Sequence, residues 1–148
     1  MKIILATDGS EFSDAAVEKC CQIIADPENT KVLVISVHPE IVPIDNFVES
    51  REYAQQMERK EHEQAEVFAE REPSRIRECF AEDSITVTTR VSIDSPDRGL
   101  IEAAKEWDAD LIVVGSHGRG FWGRVMVGSV TDSVVHHAPC SVLVVRKK

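Results

Sequence analysis

The stretch DLIVVGSHGRGFWGRVMVGSV, running from Asp110 to Val130, decides how the rest of the chain is read. It sets a short apolar strand, Leu111 to Val114, directly before Gly115-x2-Gly118-x9-Gly128-Ser129, so the glycines fall where a parallel strand ends and a helix begins. Glycine lets backbone N–H groups approach an anion with no Cβ in the way. The helix start adds unpaired donors and a positive dipole end. A nucleotide is therefore the first ligand to consider.

Two better-known phosphate loops do not fit. A P-loop requires Gly-x4-Gly-Lys-Ser/Thr, with the lysine reaching the terminal phosphates, and the chain contains no Gly-Lys dipeptide. Gly118-Arg119-Gly120-Phe121-Trp122-Gly123 matches G-x-G-x-x-G formally, but it follows a late strand, whereas the dinucleotide fold carries its fingerprint in the first βα turn. The acidic residue expected about 20 positions later to hold the ribose is missing, because nothing after Asp132 is acidic.

The apolar runs define the framework around this loop. Ile3 to Ala6, Val32 to Val37, Ile85 to Val91, Leu111 to Val114 and Val142 to Val145 are rich in Val and Ile and short enough for strands. The first, second, fourth and fifth are nearly continuous in apolar residues, as expected of parallel strands covered on both faces. Ile85, Val87, Thr89 and Val91 alternate like a strand at the sheet margin.

Helical patterns fill the gaps. Ser13-Asp14 opens one that carries Ala16, Val17, Cys20, Ile23 and Ile24 inward until Asp26-Pro27 closes it. Ser95 suits an N-cap with Pro96 at the first helical position, leading into Leu100, Ile101, Ala104 and Trp107. A last helix follows Gly128, carries Val130, Val134 and Val135, and stops at Pro139. Between Glu49 and Asp83 the charges suit a solvated helix face, with Tyr53, Met57, Ala65 and Phe68 inward and a kink or fresh start at Pro73. Strict β-α alternation predicts an open five-stranded parallel sheet with helices on both faces.

Composition bounds the function. At 148 residues and 43% hydrophobic, one domain spanning 1–148 with a sizeable core is expected. Acidic residues outnumber basic ones 26 to 17, a formal charge of −9, which opposes nonspecific attraction to nucleic acid or an anionic membrane, although Arg119 and Arg124 form a local basic patch. The opening MKIILATDGSEF stops being apolar at Thr7 and Asp8, too soon for a signal core or a membrane span, so a cytoplasmic protein is expected. Cys20, Cys21, Cys79 and Cys140 show neither CxxC pairs nor a dense framework and are expected as thiols, with at most one of Cys20 and Cys21 facing the core.

The opening LATDGS, the Gly115-x2-Gly118-x9-Gly128-Ser129 loop and the ending HAPCSVLVVR together resemble the universal stress protein family, specifically its ATP-binding branch. The similarity spans essentially the whole chain and is weakest from Glu40 to Asp83, where the family varies in length. It implies a Rossmann-like sheet of order 3-2-1-4-5, a homodimer formed through the last strand, and ATP, or else ADP or AMP, with Mg²⁺ across the carboxyl ends of the central strands. By the same resemblance Ala6, Thr7 and Asp8 meet the nucleotide, and Val37 contacts adenine through its backbone. Gly115, Ser116, His117, Gly118 and Arg119 then line ribose and phosphates, and Gly128, Ser129, Val130 and Thr131 cap the phosphates. The family often has proline where this chain has Ala6, which changes loop stiffness and removes no ligand. Beside phosphates the acidic Asp8 suits ribose hydroxyls or a bridging Mg²⁺ better than a phosphate oxygen.

Each assignment has a plainer counterpart. Asp8-Gly9-Ser10 reads equally as a turn and helix cap, and His117 as loop surface. Phe121 and Trp122 shield the loop or pack on the helix. His136-His137 lacks the i, i+4 spacing of a metal pair, and helix-end charge complementarity accounts for it. Ser116-His117 is not expected to work as nucleophile and base, since adjacent residues rarely face each other and no G-x-S-x-G elbow is present. Three classes follow: a nucleotide-dependent regulatory module with an unidentified protein partner, which leads; a slow ATPase or autophosphorylating protein; and a structural dimer that has lost its ligand.

Overall fold

In the computed structural model, which describes residues 1–43, 48–80, 84–118 and 127–147, strands and helices alternate along the chain. Among these residues the order is β1 (Lys2–Ala6), α1 (Glu11–Ile23), β2 (Lys31–His38), α2 (Val48–Glu78), β3 (Thr86–Ile93), α3 (Pro96–Trp107), β4 (Leu111–Gly115), α4 (Ser129–His137) and β5 (Ser141–Val145). All four strand pairings are parallel, and the sheet order is β3-β2-β1-β4-β5. The alternating strand therefore lies at one margin, as its pattern predicts, and β5 forms the other.

Period-2 alternation splits the apolar residues between two faces. Ile3, Leu5, Val32, Val34 and Val113 pack with Ala16, Val17 and Cys20 of α1 and Ile76 of α2. Ile4, Leu33, Ile35, Ile112 and Val114 pack with Leu100, Ala103 and Ala104 of α3 and Val134 of α4. Ile3, Ile4, Leu5 and Ile112 are completely buried, so truncating one to alanine would cost about 2–5 kcal/mol. Among the described residues no helix is long and apolar enough to cross a membrane.

Local chemistry sets the helix ends. α1 begins at Glu11, earlier than Ser13-Asp14, because Ser10 is its N-cap and accepts a hydrogen bond from the Ser13 amide at 3.2 Å. Ser13 is consequently inside the helix and buried. α3 starts at Pro96 as expected, although the Ser95 hydroxyl donates to the Asp97 carboxylate instead of capping.

Three expectations need correction. Of the kink or fresh start expected at Pro73, the fresh start does not occur: α2 continues through Pro73 as one helix, because Ala65, Ala69, Glu72, Pro73 and Ile76 form a buried stripe whose packing outweighs the one lost backbone bond. Tyr53 does not face inward. It is 64% exposed, and Ala54, which lies on the same stripe, is buried in its place. Finally, Cys21 and Cys79 are not thiols but a disulfide, with Cα atoms 6.1 Å apart, while Cys20 is buried and free and Cys140 is free.

α1 and α2 also meet through charges. Glu72, with no exposed side chain, accepts from Arg71 Nε at 2.8 Å and from Arg75 Nη1 at 2.8 Å, and both arginines reach Asp14 on α1 at 2.9 and 2.7 Å. Burial alone would lower the Arg75 guanidinium, but the hydrogen bonds and charges of Asp14 and Glu72 leave it raised. At 31 residues and about 1.5 Å per residue, α2 is about 47 Å long and outreaches the sheet.

Candidate functional site

In a parallel sheet whose order reverses between β1 and β4, the loops after these two strands leave in opposite directions and a crevice opens at their carboxyl ends. A cavity of about 810 Å³ lies there, within the range of small-molecule sites. Ala6, Thr7 and Asp8 line it from the end of β1, and Val37 lines it from β2. Gly115, His117 and Gly118 line it after β4, and Gly128, Ser129, Val130 and Thr131 line it at the start of α4.

Two of the sequence candidates stand apart. Ser116 is buried and does not line the cavity: its N–H donates to the Val145 carbonyl at 2.8 Å and its carbonyl accepts from the Gly128 N–H at 2.9 Å, tying β4, β5 and α4 together. Arg119 lies outside the described residues, as do Gly120, Phe121, Trp122, Gly123 and Arg124. Ser116 and His117 do face each other, contrary to expectation, with Oγ and Nδ1 3.0 Å apart. The bend after β4 brings these neighbouring side chains together, and the imidazole also packs on Phe12, with ring centroids 5.0 Å apart.

The backbone at this end is arranged as donors. The β1–β2 ladder closes where the Thr7 N–H donates to the Ile35 carbonyl at 3.0 Å. Val37, two residues on and therefore oriented the same way, carries its N–H and carbonyl past the end of β1 into the crevice. Gly128 caps α4 without a side-chain bond, so the N–H groups of Ser129, Val130 and Thr131 have no partner within the helix. Thr131 Oγ1 donates to the Gly115 carbonyl at 2.8 Å, which fixes the helix start on the end of β4 and commits that hydroxyl proton.

Close approach explains two of the glycines. A β-carbon on Gly115 would lie 2.7 Å from the Phe12 carbonyl carbon, so the first turn of α1 rests directly on the end of β4. Gly9 has φ +73 and lies under the Phe68 ring, where a side chain would be both strained and blocked. Gly128 differs from the sequence argument: its φ is −60, an ordinary value, and a β-carbon there would lie 3.4 Å from His117 Cα. Asp8 makes the turn that its sequence suggests, with Oδ1 accepting from the Ser10 N–H at 3.0 Å.

The far wall was not foreseen. Ile35, Pro39, Ile41, Pro96, Leu100 and Val114 make it largely apolar, and Glu61 of α2 and Ser13 of α1 add polar groups. Pro39 and Pro96 follow the carboxyl ends of β2 and β3, a position that the crevice rule flags. Nothing local marks Glu61, which reaches the cavity because α2 outreaches the sheet. Among the described lining residues there is no Lys or Arg, so the positive potential on this wall comes from backbone N–H groups and a helix end.

Behind the site, Asp97 ties α3 to α4. Its carboxylate accepts from the Ser95 hydroxyl and, at 2.7 Å, from the Ser133 hydroxyl, and these bonds hold it down at about 2. His136 and His137 place Nδ1 2.8 Å from the carbonyls of Asp132 and Ser133, at the end of α4. Among the described residues no three His, Cys, Asp or Glu side chains gather as a metal group.

Sheet order and cavity together define an α/β protein of the doubly wound class with a crevice at the switch point. Residues 1–146 match the universal stress protein family, and the chain belongs to it. It is 27% identical to a universal stress protein of Synechocystis over 98% of this chain and 97% of the relative. It is 32% identical to a putative universal stress protein of Staphylococcus aureus over 97% of this chain and 82% of that one. Its fold is similar to that of UspA from Lactobacillus plantarum, with TM-score 0.80, 25% identity, and 99% and 97% of the two chains covered. The fold is also shared by an AMP-bound universal stress protein family member from Arabidopsis thaliana, with TM-score 0.71, 19% identity, and 100% and 92% covered. A universal stress protein in complex with cAMP has it as well, with TM-score 0.66, 23% identity, and 99% and 96% covered.

Proposed function

We propose that the cavity binds an adenine nucleotide, with ATP as the leading ligand, and that the protein acts as a nucleotide-dependent regulatory module of the stress response. The observation that carries this reading is the pairing of two features in one crevice. Val37 offers one backbone donor and one acceptor beside an apolar wall, and the first N–H groups of α4, on Ser129, Val130 and Thr131, face it beside Gly118. The first suits the edge of adenine and the second suits phosphate. A volume of about 810 Å³ accommodates a nucleotide of any phosphate length. That proteins of this fold are found with AMP and with cAMP agrees with an adenine ligand.

Asp8 is the acidic residue at the loop and the natural partner of ribose hydroxyls or of a phosphate-bound Mg²⁺. A single carboxylate fits Mg²⁺, which takes one or two protein oxygens and fills its remaining positions with phosphate and water. Bound there, the ion would neutralise phosphate charge next to Asp8.

Turnover is the second reading. His117 is the one described imidazole on the cavity wall, and its Nδ1 is engaged with the buried Ser116 hydroxyl. A regulatory role is the leading reading because His117 is the one imidazole among the described lining residues, and hydrolysis or autophosphorylation is kept as the alternative. Steady-state phosphate release from ATP separates the two, and mass spectrometry of nucleotide released from the purified protein identifies the resident ligand. Release of no adenine nucleotide, together with no binding of added ATP, ADP or AMP, would overturn the reading.

A further inference from the structure

We propose that Cys21 and Cys79 form a thiol–disulfide switch that sets how firmly the crevice holds its ligand; this rests on the nucleotide-binding reading and adds the regulation of that site. The bond joins the last turn of α1 to the residue just after α2, across 58 positions of sequence. Cys79 is exposed and Cys21 half-exposed, so the bond is open to exchange. The neighbouring Cys20 is fully buried and burial pushes its thiol up to about 12, which keeps it out of that exchange. Reduction leaves no stranded group at Cys79, whose Sγ lies 3.2 Å from the Arg75 carbonyl, an acceptor for the new S–H.

The seam that starts at this bond leads to the ligand cavity. From Cys79, α2 runs back through Arg75 and Arg71, which clasp Asp14 on α1. One turn further, the Phe68 ring lies on Gly9, directly after Asp8, and two turns beyond that Glu61 enters the cavity wall. Asp8 in turn abuts Gly118 of the glycine loop. The arginine ends of the ion pairs are 42% and 31% exposed and the Asp14 side chain is 40% exposed, a setting in which such pairs hold weakly. The covalent bond thus adds to the packing of buried Ile76 and Glu72 in fixing the far end of a helix whose Phe68 ring lies against the Asp8 turn.

The exchange needs a dithiol reductant. One of its thiolates attacks Cys79 Sγ, the S–S electron pair leaves with Cys21, and Cys21 takes up a proton. The second thiol then resolves the mixed disulfide, so that two electrons and two protons reach the cysteine pair and the reductant departs as a disulfide. Oxidised glutathione reverses the process and is released as two thiols.

The test uses the wild-type chain poised with dithiothreitol or with oxidised glutathione. Alkylation counts its thiols, calorimetry measures ATP and AMP binding, and hydrogen exchange follows residues 8–14. The oxidised protein should expose two thiols on denaturation and the reduced protein all four. Oxidised protein should bind about tenfold more tightly than reduced, within the usual range of coupling between sites. Cys21→Ser should match the reduced protein in both buffers, and exchange over 8–14 should quicken on reduction. Equal affinities in the two states, or four thiols under both conditions, would overturn the switch. If neither state binds nucleotide, the binding reading fails instead, and unchanged exchange over 8–14 would then dispose of the switch as well.

Discussion

Asp8 and Gly118 share one wall of the cavity: a β-carbon built on Gly118 would lie 2.7 Å from Asp8 Oδ2. The carboxylate thus occupies the space that glycine leaves open, and the two positions act as one unit. Gly118→Ala should push Asp8 off its turn and lower ATP affinity without unfolding the protein. Calorimetry beside a thermal melt checks this.

Removing the Asp8 carboxylate tests its role directly. Asp8→Ala should cost a charge-assisted contact of about 1.5–3 kcal/mol, roughly ten- to a hundredfold in affinity. A defect that shrinks without Mg²⁺ indicates metal bridging, and one that persists indicates ribose hydroxyls. If Asp8 serves only the turn to Ser10, affinity stays within a few-fold and only the melting temperature falls slightly.

Gly128→Val puts a branched side chain where phosphate would approach. At φ −60 the substitution brings no backbone strain, so the protein should fold, losing about 1 kcal/mol for a poorer N-cap. ATP affinity should collapse in calorimetry. Binding as tight as the parent's would remove this loop from the phosphate site.

Among the described residues β5 is a sheet edge, and we propose that its outer side pairs with a second copy in a symmetric dimer. The Val145 carbonyl faces β4, where it accepts from Ser116, so Val142 and Val144 turn their backbone groups outward. Val142→Pro should therefore remove an outward donor while sparing the β4 ladder, converting a symmetric dimer to monomer in sedimentation. A parent protein that is already monomeric at micromolar concentration contradicts the dimer.

Asp97 makes a prediction in acid. Its folded value of about 2 lies below the ordinary 3.8, so the stability it contributes is fully present above 3.8 and is lost as pH falls through about 2. Thermal melts between pH 5 and pH 2 should show that loss in the parent, and Asp97→Asn should flatten it. A variant with an unchanged pH profile would show that the Ser95 and Ser133 bonds do not hold the carboxylate down.

What could be read from the chain was whatever repeats. Nearly continuous apolar runs marked β1, β2, β4 and β5, and the even alternation of Ile85 to Val91 placed β3 at the margin because one-sided burial leaves that trace. Ser95-Pro96 marked a helix start because the fixed φ of proline suits the first helical position, a local property that holds although the Ser95 hydroxyl does not cap. Contacts between distant segments left no such trace: Cys21 meets Cys79 only because α1 and α2 pack side by side. The helical charge pattern puts Tyr53 inward, yet the neighbouring Ala54 lies on the stripe that faces the core. In the candidate site, residues carried by the glycine spacing converge on the cavity, whereas Glu61 depends on the reach of a helix whose charges read as a solvated face.

Titration of the purified, nucleotide-free protein with ATP in a calorimeter tests the central claim most directly. One site per chain is predicted, with binding competed by AMP and abolished in Gly128→Val. No heat and no competition with ATP, ADP or AMP, from protein whose melt shows it folded, would contradict the claim that this crevice is a nucleotide site.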